Sequence, residues 1–166
     1  MTFLGTERID VLRFGPDGTG LVRYATVGMS RTPMADPLAT VVDASAPRGE
    51  LFLSLRASRD LGRSLAVLAA APAVEGLVVV AGASLDLGEP LWPGAPFTSV
   101  LVGTPGGLVP DLAVAGAARV EFFPLLPMTP NEAAWKRVHG AAALEQRWLA
   151  AGVDVRDPER AAVDLS

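Results

Sequence analysis

The order of strand-like and helix-like segments constrains the fold of this chain more than any other feature of its sequence. Two stretches, 58–71 and 130–151, have helical spacing, and they do not alternate regularly with strand-like runs. Those runs are short and apolar or alternating, and lie at 9–15, 21–27, 50–55, 77–81, 98–102 and 118–125, with a shorter one around 40–42. A doubly wound fold needs alternating strands and helices. The pattern predicts an α+β fold, with two main helices on a mixed sheet of five to seven strands.

Specific residues mark the ends of both predicted helices. Pro72 is expected to end the first one. Thr129 and Glu132 flank Pro130 with the spacing of a capping box, in which the two side chains accept each other's free backbone N–H groups. The second helix is therefore predicted to begin at Pro130 and to be long, with Gly140 as the place where it could break.

The length of the chain and its net charge limit the number of domains and the kinds of partner that we expect. A chain of 166 residues, half of them hydrophobic, is expected to form one domain over residues 1–166 with its own core. The net charge is −4, and thirteen arginines and the single Lys136 are scattered among carboxylates. Nucleic-acid binders usually present a clustered basic face, because neutralising phosphates supplies much of their affinity. We therefore expect no nucleic-acid partner.

The lack of cysteines and of targeting patterns in the sequence indicates the cellular compartment. The sequence has no cysteine, which excludes disulfides and thiolate metal sites. Its first residues lack the pattern of a signal peptide, and its longest apolar run, near residues 77–83, is far shorter than the roughly 20 residues that span a bilayer. These observations predict a cytoplasmic protein without a membrane anchor.

No group of residues has the spacing of a catalytic or cofactor-binding motif. Ser30 and Ser84 follow glycines but lack the second glycine of a nucleophile elbow, and His139 is the only histidine. The densest acidic cluster, 154–159, also holds an arginine and lacks calcium-loop spacing, and the glycine-rich turns lack a phosphate-loop register. We therefore predict no enzyme activity, no cofactor and no metal, with a hydrolase that uses Ser30 or acidic residues as the alternative.

Two loops carry residues typical of protein interfaces. Gly28, Met29, Ser30 and Met34 lie in a loop without sustained periodicity, and Trp92 lies between prolines and glycines in another. Methionine adapts to varied surfaces and tryptophan often anchors a partner. These five residues are the candidate partner-binding site. The structural alternative is that both loops fold back over the edge of the sheet.

Several ordered segments together resemble the suppressor-of-fused-like domain over about residues 9–163. They include the Gly-Met-Ser…Pro-Met loop after a strand, the capping box before the last helix, and a charged C-terminal tail. Val27 departs from the pattern, because a polar residue is expected before the Gly-Met-Ser. The segments that carry the resemblance are residues 24–34, 50–55, 122–129, 132–144 and 152–160.

The resemblance implies a binding domain without catalysis. The animal relative that names the family holds a transcription factor of the Hedgehog pathway and has a further domain. Bacterial single-domain relatives are often proposed as immunity proteins that neutralise toxins of polymorphic toxin systems. One lysine against thirteen arginines suggests a GC-rich bacterial gene, which favours the immunity interpretation. A structural subunit that pairs through an exposed strand is a further alternative, and the partner and oligomeric state stay open.

Overall fold

The computed structural model describes residues 7–35, 38, 40, 41 and 43–166. It has six strands in one mixed sheet with the spatial order β1-β2-β3-β6-β5-β4. Neighbouring strands are antiparallel except β3 and β6, which are parallel. The predicted α+β class and strand number are confirmed. The strands are β1 Asp10–Phe14, β2 Val22–Val27, β3 Arg48–Leu55, β4 Ser84–Asp86, β5 Ser99–Val102 and β6 Val120–Met128, and the helices are α1 Gly62–Glu75, α2 Pro130–His139 and α3 Ala141–Ala150.

The first two strands form a hairpin around Asp17 and Gly18, an Asp-Gly pair that predicts a hairpin turn between two apolar runs. The Asp17 carboxylate in its turn accepts hydrogen bonds from the Thr19 N–H, the Thr19 hydroxyl and the Leu21 N–H, and it forms an ion pair with Arg23 at 2.7 Å. The hydrogen bond from the Thr19 hydroxyl and that from Arg23 hold the pKa of Asp17 well below its usual range. The ionised carboxylate thereby fixes the turn and the register of β1 against β2.

Helix α1 differs from its prediction at both ends. Residues 58 and 59 stay outside the helix because the Tyr24 hydroxyl hydrogen-bonds with the N–H and the C=O of Arg59. Pro72 does not end the helix, as we predicted, but lies inside it. The helix continues for another three residues, and Gly76, at φ 67°, closes it with a hydrogen bond from its N–H to the Pro72 C=O.

The strand predicted at 77–81 is not formed, which corrects the sequence interpretation. Residues 77–80 have no ladder partner within the described part of the chain. The next strand, β4, begins at Ser84 after a turn closed by the Ala83 N–H and the Val80 C=O, and it pairs with β5. The short strand expected around residues 40–42 includes Val42, which lies outside the described residues, while Thr40 and Val41 form a bend.

The capping box is present as predicted. The Glu132 N–H donates to the Thr129 hydroxyl, and the Thr129 N–H donates to the Glu132 carboxylate at 2.8 Å. The predicted long C-terminal helix is divided at Gly140, whose φ of 90° disfavours residues with a side chain. Helices α2 and α3 therefore meet at Gly140 and pack together on the sheet.

A buried ion pair connects α2 to the C-terminal tail. The Glu132 carboxylate accepts two hydrogen bonds from the Arg160 guanidinium, at 2.7 and 2.8 Å, and one from the Trp148 indole N–H. The Arg160 guanidinium also donates to the Pro127 C=O and lies over the Phe97 ring. Glu132 is fully buried and the Arg160 side chain is nearly so. The tail is thus fixed to the end of β6 and the start of α2.

The helices cover opposite faces of the sheet at different strands. Helix α1 packs against β1, β2 and β3, and its leucines meet Leu51, Leu53 and Leu55. Helix α2 packs against β5 and β6, and with α3 it buries Leu101 and Met128 on the other face. Among the described residues, no helix is long and apolar enough to cross a bilayer.

Candidate binding surface

The loop predicted to bind a partner is held rigidly by Glu50 of β3. The buried Glu50 carboxylate accepts hydrogen bonds from the Gly28 N–H, the Ser30 N–H, the Ser30 hydroxyl and the Thr26 hydroxyl, at 2.7 to 3.0 Å. The Arg48 guanidinium donates to the carbonyls of Ser30 and Arg31, each at 2.8 Å. These bonds fold the loop into a short 3-10 turn against the end of the hairpin.

The apolar side chains of the two candidate loops point into the core. Met29, Met34 and Trp92 are buried, with Met34 only 2% exposed, and Trp92 packs against the Phe97 ring. Gly28 has a φ of 126°, and a Cβ there would lie 2.3 Å from the Arg8 carbonyl oxygen. This arrangement matches the structural alternative for the loops. A direct contact of these residues with a partner stays a prediction.

The residues considered for catalysis already have structural partners. The Ser30 hydroxyl donates to Glu50, whose carboxylate also accepts hydrogen bonds from the N–H groups of Gly28 and Ser30. The His139 ring is stacked on Trp135 at the exposed end of α2, with 4.1 Å between the ring centroids. Within the described ranges, no three His, Asp or Glu side chains are placed so that they could hold a metal ion.

The side of the sheet opposite α1 carries a row of apolar side chains across four strands. Leu12 of β1 lies opposite Ala25 of β2, Ala25 opposite Phe52 of β3, and Phe52 beside Pro124 of β6. Directly paired residues share one face of a sheet, as do residues two positions apart along a strand. Phe14 and Val27 therefore belong to the same face. We call this surface the open face; its apolar members are Leu12, Phe14, Ala25, Val27 and Phe52, and Asp10 and Arg23 lie on it opposite Val27 and Phe14.

Three members of the open face are substantially exposed. The exposed fractions are 44% for Leu12, 51% for Phe14 and 43% for Val27. Helix α1 lies on the opposite side of these strands, and α2 packs only over β5 and β6 on this side. Contiguous exposed apolar patches on a soluble domain commonly mark sites of protein interaction. The open face is thus the part of the sheet that the helices leave uncovered.

An apolar groove of about 280 Å³ continues the open face towards the C-terminal tail. It is shared by the sheet, the loop after β5 and the tail. Phe52 belongs to both the open face and the groove, so the two surfaces are continuous. The residues that line the groove are Phe52, Ser54, Thr104, Gly107, Leu108, Pro124, Leu125, Leu126, Val155 and Arg156.

Charged residues cluster at the rim of the groove. Asp154 forms ion pairs with Arg156 at 2.8 Å and with Arg56 at 2.5 Å. The hydrogen bond from Arg156, and then that from Arg56, hold the pKa of Asp154 well below its usual range. The carboxylate in turn raises the pKa of Arg156. This end of the groove therefore combines an apolar floor with two guanidinium groups that share one carboxylate.

The open face was missed by sequence reasoning, although part of its signal is visible in the sequence. The alternation in β1 places Leu12 and Phe14 on one face of a strand, and a two-layer domain would bury them. Which face α1 covers depends on how the chain crosses the sheet, and periodicity does not encode that crossing. The sequence therefore indicates that β1 has an apolar face, but it does not indicate that this face is exposed to solvent.

Comparisons with known proteins agree on the fold. The family model for suppressor of fused protein (SUFU) matches residues 5–161. A crystal structure of a SUFU homolog from Neisseria gonorrhoeae FA 1090 has 21% identity and a TM-score of 0.72, and the match covers 98% of this chain and 81% of that one. No match is found among curated proteins.

Two further solved structures have the same fold at lower identity. A chain of the Sufu-Fu complex has 12% identity and a TM-score of 0.64, with 93% of this chain and 76% of that one covered. Drosophila Suppressor of Fused has 10% identity and a TM-score of 0.66, with 93% of this chain but only 42% of that one covered. Since the family model spans nearly the whole sequence, the predicted resemblance is confirmed, and this chain belongs to the suppressor of fused family.

Proposed function

We propose that this chain is a non-catalytic protein-binding domain whose open face contacts its partner. The observation that carries the proposal is the exposure of Leu12, Phe14 and Val27 on one face of the sheet, which no helix covers in the described residues. Burying such side chains against a partner gains roughly 25 cal/mol for each Å² removed from water. The groove beside Phe52 offers a recess for a protruding side chain, as interface anchors require.

The partner we propose is a toxin that the chain neutralises by direct binding in the cytoplasm. One solved relative is a Sufu-Fu complex, so a member of the family does associate with another protein. The net charge of −4 suits a basic partner, because complementary charge speeds encounter and orients docking. An immunity protein acts as one domain, here residues 1–166, and needs no cofactor.

Neutralisation in cells tests this function. We expect a neighbouring gene to encode a toxic protein, co-expression of this chain with that protein to restore growth, and the two proteins to co-purify. Ser30→Ala and His139→Ala should protect as well as the wild type, since the proposed mechanism uses neither side chain chemically. A hydrolase that uses Ser30 would instead lose protection with Ser30→Ala. Protection without co-purification, or loss of protection in a folded Ser30→Ala or His139→Ala variant that still binds the toxin, would contradict the proposal.

A further inference from the structure

The groove beside the open face is apolar and has room for an aromatic side chain. Phe52 and Leu125, which are buried, line it from the sheet, and Leu108, which is 62% exposed, lines it from the loop after β5. A cavity of about 150 Å³ in a protein core holds benzene, whereas this groove measures about 280 Å³. An aromatic ring together with its linking atoms therefore fits in it.

The polar groups that line the groove can donate hydrogen bonds, and none of them is a carboxylate. They are the hydroxyl groups of Ser54 and Thr104 and the guanidinium of Arg156. Neither hydroxyl makes a hydrogen bond with another described residue. Among the described residues no Asp or Glu lines the groove, although the chain has eighteen acidic residues. The groove is therefore complementary to an apolar group that carries an anion.

The two arginines at the rim have donors left over after they bind Asp154. Arg156 uses Nε and Nη2, at 2.8 and 3.2 Å, and Arg56 uses Nε, at 2.5 Å. Arg156 Nη1 and both terminal nitrogens of Arg56 make no hydrogen bond in the described part of the chain. The Asp157 carboxylate accepts from the Glu159 N–H and does not line the groove. The rim thus holds two guanidinium groups against one carboxylate, with donors available for a second carboxylate.

We infer that this groove binds a partner segment in which an aromatic side chain is followed by an acidic residue. The ring fills the groove, and the carboxylate next to it accepts hydrogen bonds from the free donors of Arg156 and Arg56. Since Arg156 belongs to both the lining and the rim, the two groups must lie close together, as they do in adjacent residues. The inference rests on the proposed protein-binding function and names the anchor residues of that partner.

Other occupants fit the groove less well. A small molecule in the groove leaves the open face uncovered, whereas a partner that lies across Phe52 covers both surfaces. A second copy of this chain brings another net charge of −4, which opposes association. An acidic anchor is compatible with a basic partner, because the rim is locally positive on an acidic chain and fixes the orientation of docking.

A short peptide tests the anchor without the native partner. The probe is acetyl-Ala-Phe-Asp-Ala-amide, followed by amide NMR of the whole chain, and we expect saturable shifts centred on Phe52, Leu108 and Arg156. Replacement of its phenylalanine with alanine should weaken binding at least about tenfold. Replacement of its aspartate with asparagine should weaken binding about threefold to fivefold, because the ion pair is partly exposed. Free 3-phenylpropionate, which has the ring and the carboxylate without the peptide, should bind more weakly than the probe.

Arg156→Gln tests whether the carboxylate of the peptide meets the rim. Asp154 keeps its ion pair with Arg56 in this variant, so the fold is expected to hold. The aspartate and asparagine peptides should then bind with affinities within about twofold of each other. The control is Arg63→Gln, an exposed arginine that lines a different cavity, and it should leave the preference for aspartate unchanged. If circular dichroism shows that Arg156→Gln is unfolded, the comparison of the two peptides on the wild type decides.

Several results would overturn the inference. These are no binding of the probe, shifts outside the groove, equal affinity of the alanine or asparagine peptide, tighter binding of 3-phenylpropionate, or a preference for aspartate that survives in folded Arg156→Gln. If the peptide fails while the toxin still binds through the open face, only the anchor is wrong. If no toxic neighbour is found and growth is not restored, the proposed function itself fails, whatever the peptide does.

Discussion

Replacement of Arg160 with alanine is expected to lower the free energy of unfolding by about 3–5 kcal/mol, the cost of breaking a buried ion pair. The substitution leaves the Glu132 carboxylate fully buried without its cation, and it also removes the hydrogen bond to the Pro127 C=O and the contact with Phe97. Urea denaturation at neutral pH measures the loss. The tail after Arg160 should become susceptible to proteolysis.

The control for Arg160→Ala is Arg63→Ala. Arg63 forms an ion pair with Glu89 at 2.8 Å, but both side chains are at least half exposed, so its removal should cost less than about 1 kcal/mol. Equal stability of the two variants would show that the buried pair does not hold the tail. Arg160→Met, which keeps an apolar side chain of similar length, should recover part of the lost packing but not the ion pair.

The contribution of Glu132 should also depend on pH. Burial raises the pKa of this carboxyl, but hydrogen bonds from Arg160, Thr129 and Trp148 outweigh burial and hold it below its ordinary value of 4.5. The stabilisation should therefore be fully present above about pH 4.5 and be lost as the pH falls through the lower pKa of the folded state. The stability difference between the wild type and Arg160→Ala should shrink over that acidic range.

Replacement of Glu50 with alanine is expected to lower the free energy of unfolding by about 3 kcal/mol and to release the Gly28–Met34 loop. The carboxylate satisfies the N–H groups of Gly28 and Ser30 and the hydroxyl groups of Thr26 and Ser30. Without it, these donors lose their acceptor in a partly buried turn. Hydrogen exchange of the Gly28 and Ser30 amides, together with urea denaturation, measures both effects.

Two control variants place limits on the role of Glu50. Glu89→Ala removes an exposed carboxylate and should leave both stability and amide exchange nearly unchanged. Ser30→Ala removes only one of the four hydrogen bonds and should cost about 1 kcal/mol. If Glu50→Ala unfolds no more easily than Ser30→Ala, the carboxylate is not the anchor of the loop.

Local features were predicted well from the sequence because they depend on neighbouring residues. The hairpin at Asp17 and the capping box at Thr129 and Glu132 each rest on contacts within a few positions. The helix boundary near residue 58 was wrong because the distant Tyr24 hydroxyl binds Arg59. Pro72 was predicted to end the first helix, but it lies buried inside α1, where its missing N–H removes one hydrogen bond of the helix.

The binding surface was harder to predict because its exposure depends on topology. Met29, Met34 and Trp92 looked like contact residues because they lie in irregular segments, but these segments fold onto the core. Leu12 and Phe14 alternate in a strand and were not identified as contact residues, although no helix covers them in the described residues. The residue type gave the apolar character in both cases, and the path of the chain decided which side chains reach solvent.

The affinity of this chain for the toxin that it neutralises in the growth test decides whether it acts through the open face. Titration calorimetry should compare the wild type with Phe14→Asp and with the control Val138→Asp. Val138 is 78% exposed on α2, which packs over β5 and β6, whereas β1 lies at the other edge of the sheet. We expect Phe14→Asp to weaken binding at least about a hundredfold, as hot-spot residues do, with its fold unchanged by circular dichroism. We expect Val138→Asp to bind as the wild type does. Equal affinity of folded Phe14→Asp and wild type would contradict the claim that this chain acts through the open face.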